Sequence, residues 1–298
     1  MSTRIPIGDR LHLPRRTGEA LASGLGRGRL RSPDVSHPFH GVVAREDAHD
    51  DVLACCLRYE PLLLPGQFFS HRTAAALWGM PLPPASNADL DVAVAWPRTP
   101  PRRAGVRGRS LGPTGLDVVH GFPVAAPADA WAQLGSLLSR EDLVAAGDGL
   151  LAALHREPLA TLDELAEAAA RYAGRPGAAQ LRWALPRLRQ GAESRPESLL
   201  RLLIARGRLP EPVVAHPVDV GPRVLHPDLA WPELRIGIEY EGDGHRTDRA
   251  TWLRDIERRE LFAAAHWRSV QVTSIDLFVR PAALISRLRA VREDRAAR

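Results

Sequence analysis

The chain is 298 residues long, with 45% apolar residues, 25% charged residues and a formal net charge of +5. This length allows two domains that each bury a core, and the composition is that of an ordinary globular protein. The N-terminal segment MSTRIPIGDRLHLPRR lacks the apolar stretch of a signal peptide, and no apolar run is long enough to cross a bilayer. We therefore expect a cytoplasmic protein with no membrane partner.

Two residue types are used in an unusual way. The cysteines Cys55 and Cys56 are neighbours, which rarely bridge each other and leave no spaced pair to bind zinc, so a reducing compartment fits. All 40 residues counted as Lys+Arg are arginine. A codon bias toward GC-rich triplets accounts for most of this pattern. Its consequence is that no step can use a lysine ammonium, whereas bidentate arginine contacts to phosphate remain available.

The first half of the chain predicts two segments. Residues 1–65 are rich in Pro, Gly and Arg, which favours an irregular, basic turn-and-strand unit. Residues 66–155 predict an α+β region that opens with a helix over 71–78, capped by Ser70. Its further elements are a strand over 90–95, a hairpin that pairs Val118 and Val119 with 122–125 across Gly121, and helices over 127–138 and 141–154.

Residues 156–192 predict a helical connector. Thr161 and Glu164 have the spacing of a capping box, for a helix that ends near Gly174. The next helical stretch, AAQLRWALPRLRQG, should bend at Pro186, because proline has no N–H to donate within a helix.

Residues 193–298 have the clearest pattern. Ser194 and Glu197 form a second capping box, with Pro196 in the first turn, where proline is tolerated. Strands over 213–218, 223–229 and 235–241 follow, then a helix over 249–265, a strand over 267–273 and a helix over 281–292. This order predicts an α/β fold, with a mixed sheet flanked by helices.

Three acids lie in the strand region of this last segment. Asp228 ends one strand, and Glu239 and Glu241 share a face of the next strand, with Tyr240 on the opposite face. Two acids on one face repel each other and are costly to bury without a cation, and hard divalent ions such as magnesium use such carboxylates. A pair of solvated acids at a strand end is the alternative, and Asp228 on the preceding strand favours the metal site.

These residues resemble a known family. The run HPDLAWPELRIGIEYEGDGH, followed by a charged helix and the strand WRSVQVT, is similar to the domain of unknown function 559 (DUF559) group. That group belongs with the very-short-patch-repair (Vsr-like) endonucleases in the PD-(D/E)xK superfamily, which have a restriction-endonuclease-like fold. The resemblance covers residues 194–292 and implies a set of functional residues. They are Glu197 as the helix acid, Asp228, Glu239 and Glu241 as metal ligands, His245 as the family histidine, and Asp255 and Arg259 as charged helix positions.

The chain departs from the family pattern at three places. Glu241 stands where the superfamily has its lysine, and Glu-Gly-Asp-Gly precedes the histidine where Asp-Gly is usual. Gln271 stands where an arginine is common. The repair-type endonucleases use a histidine near the scissile phosphate, so His245 is a candidate for proton transfer during hydrolysis. The alternative is that His245 is a structural or merely exposed histidine. Arg246 and Arg249, near a helix start, are expected to meet DNA phosphates.

The middle region has a second resemblance. The runs FFSHRTAAALWGMPLP and GFPVAAPADAWAQL, with a V-R-G-R loop between them, look like AbiEi-type antitoxin proteins. This implies an N-terminal winged helix that binds DNA, followed by a helical and sheet extension. The winged helix is degenerate here, because the segment before Gly41 has too few apolar positions for three helices.

The sequence thus predicts a metal-dependent DNA endonuclease that hydrolyses phosphodiesters with a water activated by Mg²⁺ or Mn²⁺. The alternative is a DNA-binding, antitoxin-like regulator whose nuclease fold has lost activity, which the missing lysine favours. A third candidate is a structural partner of a toxin encoded nearby. DNA is the expected partner in the first two cases.

Overall fold

The computed structural model describes residues 11, 13–46, 51–84, 89–151, 157–221, 223–242 and 249–297, with the side chains of 249–255 left out. The chain divides into two compact units, Met1–Met80 with Pro84–Leu134, and Pro81–Pro83 with Gly135–Arg298. Within the described ranges, none of the helices combines the length and the apolar character that a membrane-spanning segment requires.

The first unit begins with short strands and helices. These are β1 (Arg15–Arg16), α1 (Thr17–Ala22), β2 (Val35–Ser36), β3 (Val42–Arg45) and α2 (Val52–Tyr59). The strands form an antiparallel sheet in the order β1-β3-β2. A small apolar core, which includes Leu11, Leu25, Leu30 and Val43, lies beneath it.

A five-stranded sheet completes the first unit. Its elements are β4 (Gln67–Phe69), α3 (His71–Leu77), β5 (Leu90–Ala95), β6 (Val106–Leu111), β7 (Leu116–Val119), β8 (Phe122–Ala125) and α4 (Pro127–Leu134), and the strand order is β6-β5-β4-β8-β7. The β7–β8 hairpin has the predicted register, with Val119 opposite Phe122. Two expectations need correction. Helix α4 ends four residues early, where Gly135 follows, and the hydroxyl of Ser70 lies 3.0 Å from Nδ1 of His71 and does not cap the helix backbone.

The second unit opens with three helices. They are α5 (Arg140–Asp148), α6 (Leu162–Arg171) and α7 (Ala178–Ala184), and a 3₁₀ turn at Leu185–Arg187 follows α7. Both halves of the Thr161–Glu164 capping box are present, since each residue's backbone N–H donates to the other's side chain. The 3₁₀ turn contains Pro186, so the predicted bend is confirmed.

The remaining elements form the α/β part of the second unit. They are α8 (Arg195–Arg206), β9 (Val213–Val214), β10 (Val218–Asp219), β11 (Val224–Leu225), β12 (Leu229–Trp231), β13 (Ile236–Glu241), α9 (Arg249–Ala264), β14 (Arg268–Thr273), a π-helical turn (Ile275–Val279) and α10 (Pro281–Ala296). The main sheet has the order β14-β13-β12-β9, with β13 and β14 parallel and the other pairs antiparallel. The predicted α/β class, with a mixed sheet flanked by helices, is confirmed.

Two predicted strands are each divided in the structure. The segment 213–218 splits into β9 and β10, and 223–229 splits into β11 and the start of β12. Pro217 and Pro227 lie at the two breaks, and proline cannot donate to a ladder. The strands β10 and β11 then pair with each other in a separate two-stranded sheet.

The apolar core of this unit fixes the position of the acids. Leucines of α8 and α10 pack against β12, β13 and β14, in a cluster that includes Leu200, Leu288, Ile236 and Ile238. Leu229 of β12 lies opposite Ile238 of β13. Because directly opposed residues of an antiparallel pair share a face, continuing this register by one residue places Asp228 beside Glu239 on one face of the sheet.

Candidate active-site cleft

A cleft of about 370 Å³ lies in the second unit, where the start of α8, the β11–β12 connection and α9 come together. Its apolar lining includes Ala215, Val224 and Leu225. Its polar lining is formed by Glu193, Glu197, His226, Asp228 and Arg258. We call this the acid cleft. Two of the predicted functional residues, Glu197 and Asp228, thus line one cavity.

Glu197 is held at the N-terminus of α8. Its carboxylate accepts hydrogen bonds from the hydroxyl of Ser194 at 2.6 Å and from the backbone N–H of Glu193 at 2.9 Å. The second bond differs from the predicted capping box, in which the N–H of Ser194 would be the donor. Burial is the largest cause that raises the pKa of Glu197, against the lowering effect of the Ser194 bond. The side chain is therefore fixed, and its charged form is disfavoured.

Asp228 lies immediately before β12. Its carboxylate accepts a hydrogen bond from the backbone N–H of Tyr240 at 2.7 Å, and its main-chain oxygen accepts one from Ala215 at 3.0 Å. Burial and then the negative charge of Glu197 raise its pKa to about 7, and Glu239 adds to the effect. The Tyr240 N–H and the charge of Arg258 oppose it. Asp228 is thus a carboxyl group that faces two other carboxylates.

Glu239 lies in the middle of the sheet and is largely buried. Its carboxylate accepts from Nε of Arg258 at 2.5 Å, from the hydroxyl of Ser269 at 3.1 Å and from the amide of Gln271 at 3.2 Å. Ser269 and Gln271 stand on the neighbouring strand β14, where Gln271 is the register partner of Glu239. Gln271 therefore helps to hold the acid.

Arg258 is the cation of the acid cleft. Besides Glu239, it donates from Nη2 to the main-chain oxygen of His226 at 2.7 Å, and its guanidinium lies over the ring of Phe262 at 5.3 Å. The resemblance had marked Arg259, one residue further along α9, only as a charged helix position. Adjacent helical positions differ by about 100° around the axis, so only one of them can face the sheet. The i, i+4 spacing to the buried Phe262 is the signal that identifies Arg258.

Glu241 has surroundings unlike those of the other acids. It is exposed at the end of β13 and pairs with Arg259, with 3.7 Å between Nη2 and the carboxylate. The structure therefore brings Asp228, Glu239 and Glu197 into one electrostatic group, whereas Glu241 pairs on the surface. Its predicted role as a metal ligand stays a prediction.

Several predicted residues have no described side chain. His245 and Arg246 lie outside the described residues. Arg249 is the first residue of α9, and Asp255 belongs to the same helix, but only their backbone is described. The roles assigned to them from the sequence stay predictions. His226, in contrast, lines the acid cleft, although the sequence analysis had not selected it.

Whether the acid cleft fits a divalent cation depends on which side chains there can act as ligands. Over the described residues, there is no group of three or more His, Cys, Asp or Glu side chains that could hold a metal ion. Mg²⁺, however, is commonly held by one or two carboxylates, with water and substrate phosphate as the other ligands. Glu197 and Asp228 line one cleft, and each has a raised pKa, so a cation would relieve their repulsion. This pair fits a two-carboxylate site.

Comparison with known proteins gives relatives but no family, since no family model matches the chain. Two Mycobacterium tuberculosis proteins are similar to it: Uncharacterized protein MT2308 of strain CDC 1551 / Oshkosh and Uncharacterized protein Rv2248 of strain ATCC 25618 / H37Rv. Each is 30% identical over 174 residues, which cover 58% of this chain and 63% of the relative. The chain thus spans less than two thirds of the length of these curated relatives.

Proposed function

We propose that the second unit is a nuclease domain that hydrolyses DNA phosphodiesters with the help of Mg²⁺ or Mn²⁺. The observation that carries this proposal is that Glu197 and Asp228 line one cleft, with Glu239 beside Asp228 on the sheet; burial and the charges of these two glutamates raise the pKa of Asp228 to about 7. Perturbed carboxylates that converge in a cleft are characteristic of sites that bind a cation or move protons. The resemblance to the DUF559 group supports the same reading.

Each residue of the acid cleft has a role that follows from its contacts. Glu197 and Asp228 would hold the cation, because both line the cleft and both are held by hydrogen bonds from the protein. When bound, the cation would supply positive charge at the scissile phosphate and lower the pKa of a water ligand. Arg258 holds Glu239 and the main chain of His226, and so keeps two walls of the cleft in place.

The remaining roles rest on the family resemblance. His245 would accept or donate a proton near the scissile phosphate. Arg246 and Arg249 would contact DNA phosphates at the start of α9, where the helix N-terminus also favours negative charge. Glu241 would be a further metal ligand, if the cation draws it away from Arg259.

The test is a nicking assay on supercoiled plasmid with the full chain, in Mg²⁺ or Mn²⁺, combined with calorimetric metal titration. Asp228→Ala should lose both metal binding and cleavage, by ~10²-fold or more, because it removes a ligand of the catalytic ion. The matched control is Glu257→Gln, an exposed acid of α9 that pairs with Arg223 at the surface. It should cleave like the parent. A parent chain that binds no metal and nicks no DNA would contradict the proposal.

A second candidate is the DNA-binding, antitoxin-like regulator with a silent nuclease fold. Two observations favour it: the chain has no lysine, and Glu239 is already occupied by Arg258, Ser269 and Gln271. This candidate predicts duplex binding in EDTA that weakens steeply with salt, without any cleavage in Mg²⁺ or Mn²⁺. Fluorescence anisotropy of a labelled duplex, measured at several salt concentrations, separates the two functions.

A further inference from the structure

A second cavity lies in the α/β unit and shares no lining residue with the acid cleft. Its volume of about 540 Å³ is in the range of pockets that accept ligands or partner side chains. Its walls come from the start of α5, from α7 and the 3₁₀ turn after it, from α8, and from the π-helical turn. Trp183 stands in one wall, and we call the cavity the Trp183 groove.

Helix α8 presents two apolar faces. Leu200 and Ile204 are fully buried in the core of the second unit. Leu199, Leu202 and Leu203 line the Trp183 groove and, together with Arg206, have the i, i+3, i+4, i+7 spacing of a single helical stripe. A helix that is apolar on more than one face normally has both faces covered. Leu203 of this stripe is buried in the core and Leu199 packs against the core, so the part that a partner can cover is centred on the half-buried Leu202 and the exposed Arg206.

The π-helical turn extends this apolar surface. Leu277 and Phe278 line the groove, and the side chains of Ile275, Phe278 and Val279 are all exposed, with Phe278 at 49%. Contiguous exposed apolar side chains mark interaction sites, and π-helical turns are frequent at functional positions.

The charged side chains around the groove are mostly basic. Arg140 and Arg187 lie over the ring of Trp183, at 4.6 Å and 4.2 Å from its centroid. Arg206 is the last residue of the α8 stripe and also lines the groove. Glu141 is the acid among the lining residues, and it is 3.4 Å from Arg140. The rim is therefore positive and the floor is aliphatic.

We propose that the Trp183 groove docks an acidic amphipathic helix of a partner protein. Leucine-like side chains of the partner would fill the aliphatic floor, and its carboxylates would meet Arg140, Arg187 and Arg206. Amphipathic helices bind hydrophobic grooves in this way, through anchors one turn apart. Nucleic acid fits less well, because the floor is aliphatic and two guanidinium groups already cover the ring of Trp183 that a base would need. This inference is independent of the proposed nuclease activity.

The experiment uses three fluorescein-labelled synthetic helices and the full chain. The first has leucines at i, i+3, i+4 and i+7 with flanking glutamates, the second has lysines in place of the glutamates, and the third has the composition of the first with the leucines scrambled. Fluorescence anisotropy should show the acidic helix binding at least tenfold more tightly than either of the others. Equal binding of all three helices, or no binding of the acidic helix, would overturn the proposal.

Two variants locate the binding. Phe278→Ser and Arg206→Glu should each weaken binding of the acidic helix by tenfold or more, and both residues are exposed enough for the fold to persist, which thermal unfolding checks. The matched control is Val118→Ser, which removes an apolar side chain that is 67% exposed in the other unit, and it should bind like the parent. Unchanged binding in Phe278→Ser and Arg206→Glu would place the helix elsewhere.

Two other occupants of the Trp183 groove, a second copy of the chain and duplex DNA, would give different results. A dimer in sedimentation that Phe278→Ser dissociates would assign the groove to a second copy of the chain and overturn the proposal. Displacement of the acidic helix by duplex DNA, abolished in Arg206→Glu, would assign it to nucleic acid. Asp228→Ala should bind the acidic helix like the parent, so failure of the nuclease proposal leaves this test intact.

Discussion

Two aspartates of the second unit, the buried Asp148 and the half-buried Asp228, have carboxylates with very different surroundings. Asp148 accepts hydrogen bonds from the N–H of Arg189, the hydroxyl of Ser198 and the guanidinium of Arg201, at 2.7 to 2.9 Å. Asp228 accepts one from the N–H of Tyr240 but faces two carboxylates. Burial raises the pKa of both. Donors surround the first acid, which is characteristic of a structural group, whereas acids surround the second, which is characteristic of a site that awaits a cation.

Helix α8 carries residues that face both aspartates. Ser198 and Arg201 face Asp148, and Arg201 also bonds the carboxylate of Glu211 at 2.8 Å. Glu197, one turn before Arg201, faces Asp228. The structural cluster thus fixes the helix that places Glu197 in the acid cleft. If this comparison is correct, loss of donors at Asp148 should be costly, and loss of acids at the cleft should be favourable.

The largest effect is expected from Arg201→Met. Arg201 is only 1% exposed, so its loss leaves the buried Asp148 without its charged partner. Breaking a buried ion pair by removing one partner costs about 3–5 kcal/mol. Urea unfolding should show this loss, whereas Arg206→Ala, at the exposed end of the same helix, should change stability by less than about 0.5 kcal/mol. Equal stability of both variants would mean that Asp148 does not depend on its donors.

A smaller loss is expected from Arg258→Ala. Removing this guanidinium leaves the largely buried Glu239 with only the neutral donors Ser269 and Gln271, which should cost about 1–3 kcal/mol. The neighbouring variant Arg259→Ala breaks an exposed pair 3.7 Å long and should cost less than about 1 kcal/mol. Denaturant unfolding of the two variants compares them directly. The reverse order of stabilities would contradict the assignment of Arg258 as the cation that holds Glu239.

The sequence predicted the helix and strands around the acid cleft better than the contacts that their side chains make. The strand pattern pointed to Asp228 and Glu239 on neighbouring strands, whereas Glu197 was placed with them only by the resemblance to the DUF559 group. Arg258 was missed because a charged helix offers several arginines, and only the sheet decides which one faces inward. The divided strands were missed because the apolar runs continue through Pro217 and Pro227, where the ladder cannot.

The sequence also did not predict which side chains surround each acid. A strand pattern places Glu241 on the face of Glu239, but the structure pairs it with Arg259 at the surface. The donors of Asp148 lie 41 to 53 residues away in the sequence, at Arg189, Ser198 and Arg201, and no local pattern connects them. Tertiary packing, rather than spacing, decides which acids face donors and which face one another.

The pH dependence of stability offers a third test. The pKa of Asp228 is about 7 in the folded chain and near 3.8 when unfolded, so between these values the folded state holds one more proton. Stability should therefore fall as pH rises from 5 to 6, by on the order of 1 kcal/mol from this group. In Asp228→Asn that contribution should vanish, as measured by unfolding at both pH values. An unchanged pH slope would show that Asp228 is ionised throughout this range.

The smallest effects are expected from Glu164 and Glu197, which each stand at the third position of a helix. Glu164 is exposed, and hydrogen bonds from Thr161 lower its pKa. Its charged form is therefore favoured by folding, and the gain is present at neutral pH and lost as pH falls. Burial raises the pKa of Glu197, so its charged form is disfavoured, and the cost is present at neutral pH and lost as pH falls.

The same substitution at these two positions should consequently have opposite signs. Glutamine keeps a side-chain oxygen that accepts hydrogen bonds at the start of a helix but has no charge, so Glu→Gln tests the effect of the charge alone. At pH 8, Glu164→Gln should lower the free energy of unfolding by about 0.3–1 kcal/mol, the usual contribution of an acid in the first turn of a helix. Glu197→Gln should raise it, because the charge that repels Asp228 is removed. Both differences should shrink at pH 4. If Glu197→Gln instead destabilises like Glu164→Gln, then Glu197 is an ordinary cap, and the contrast between donor-surrounded and acid-surrounded carboxylates does not extend to it.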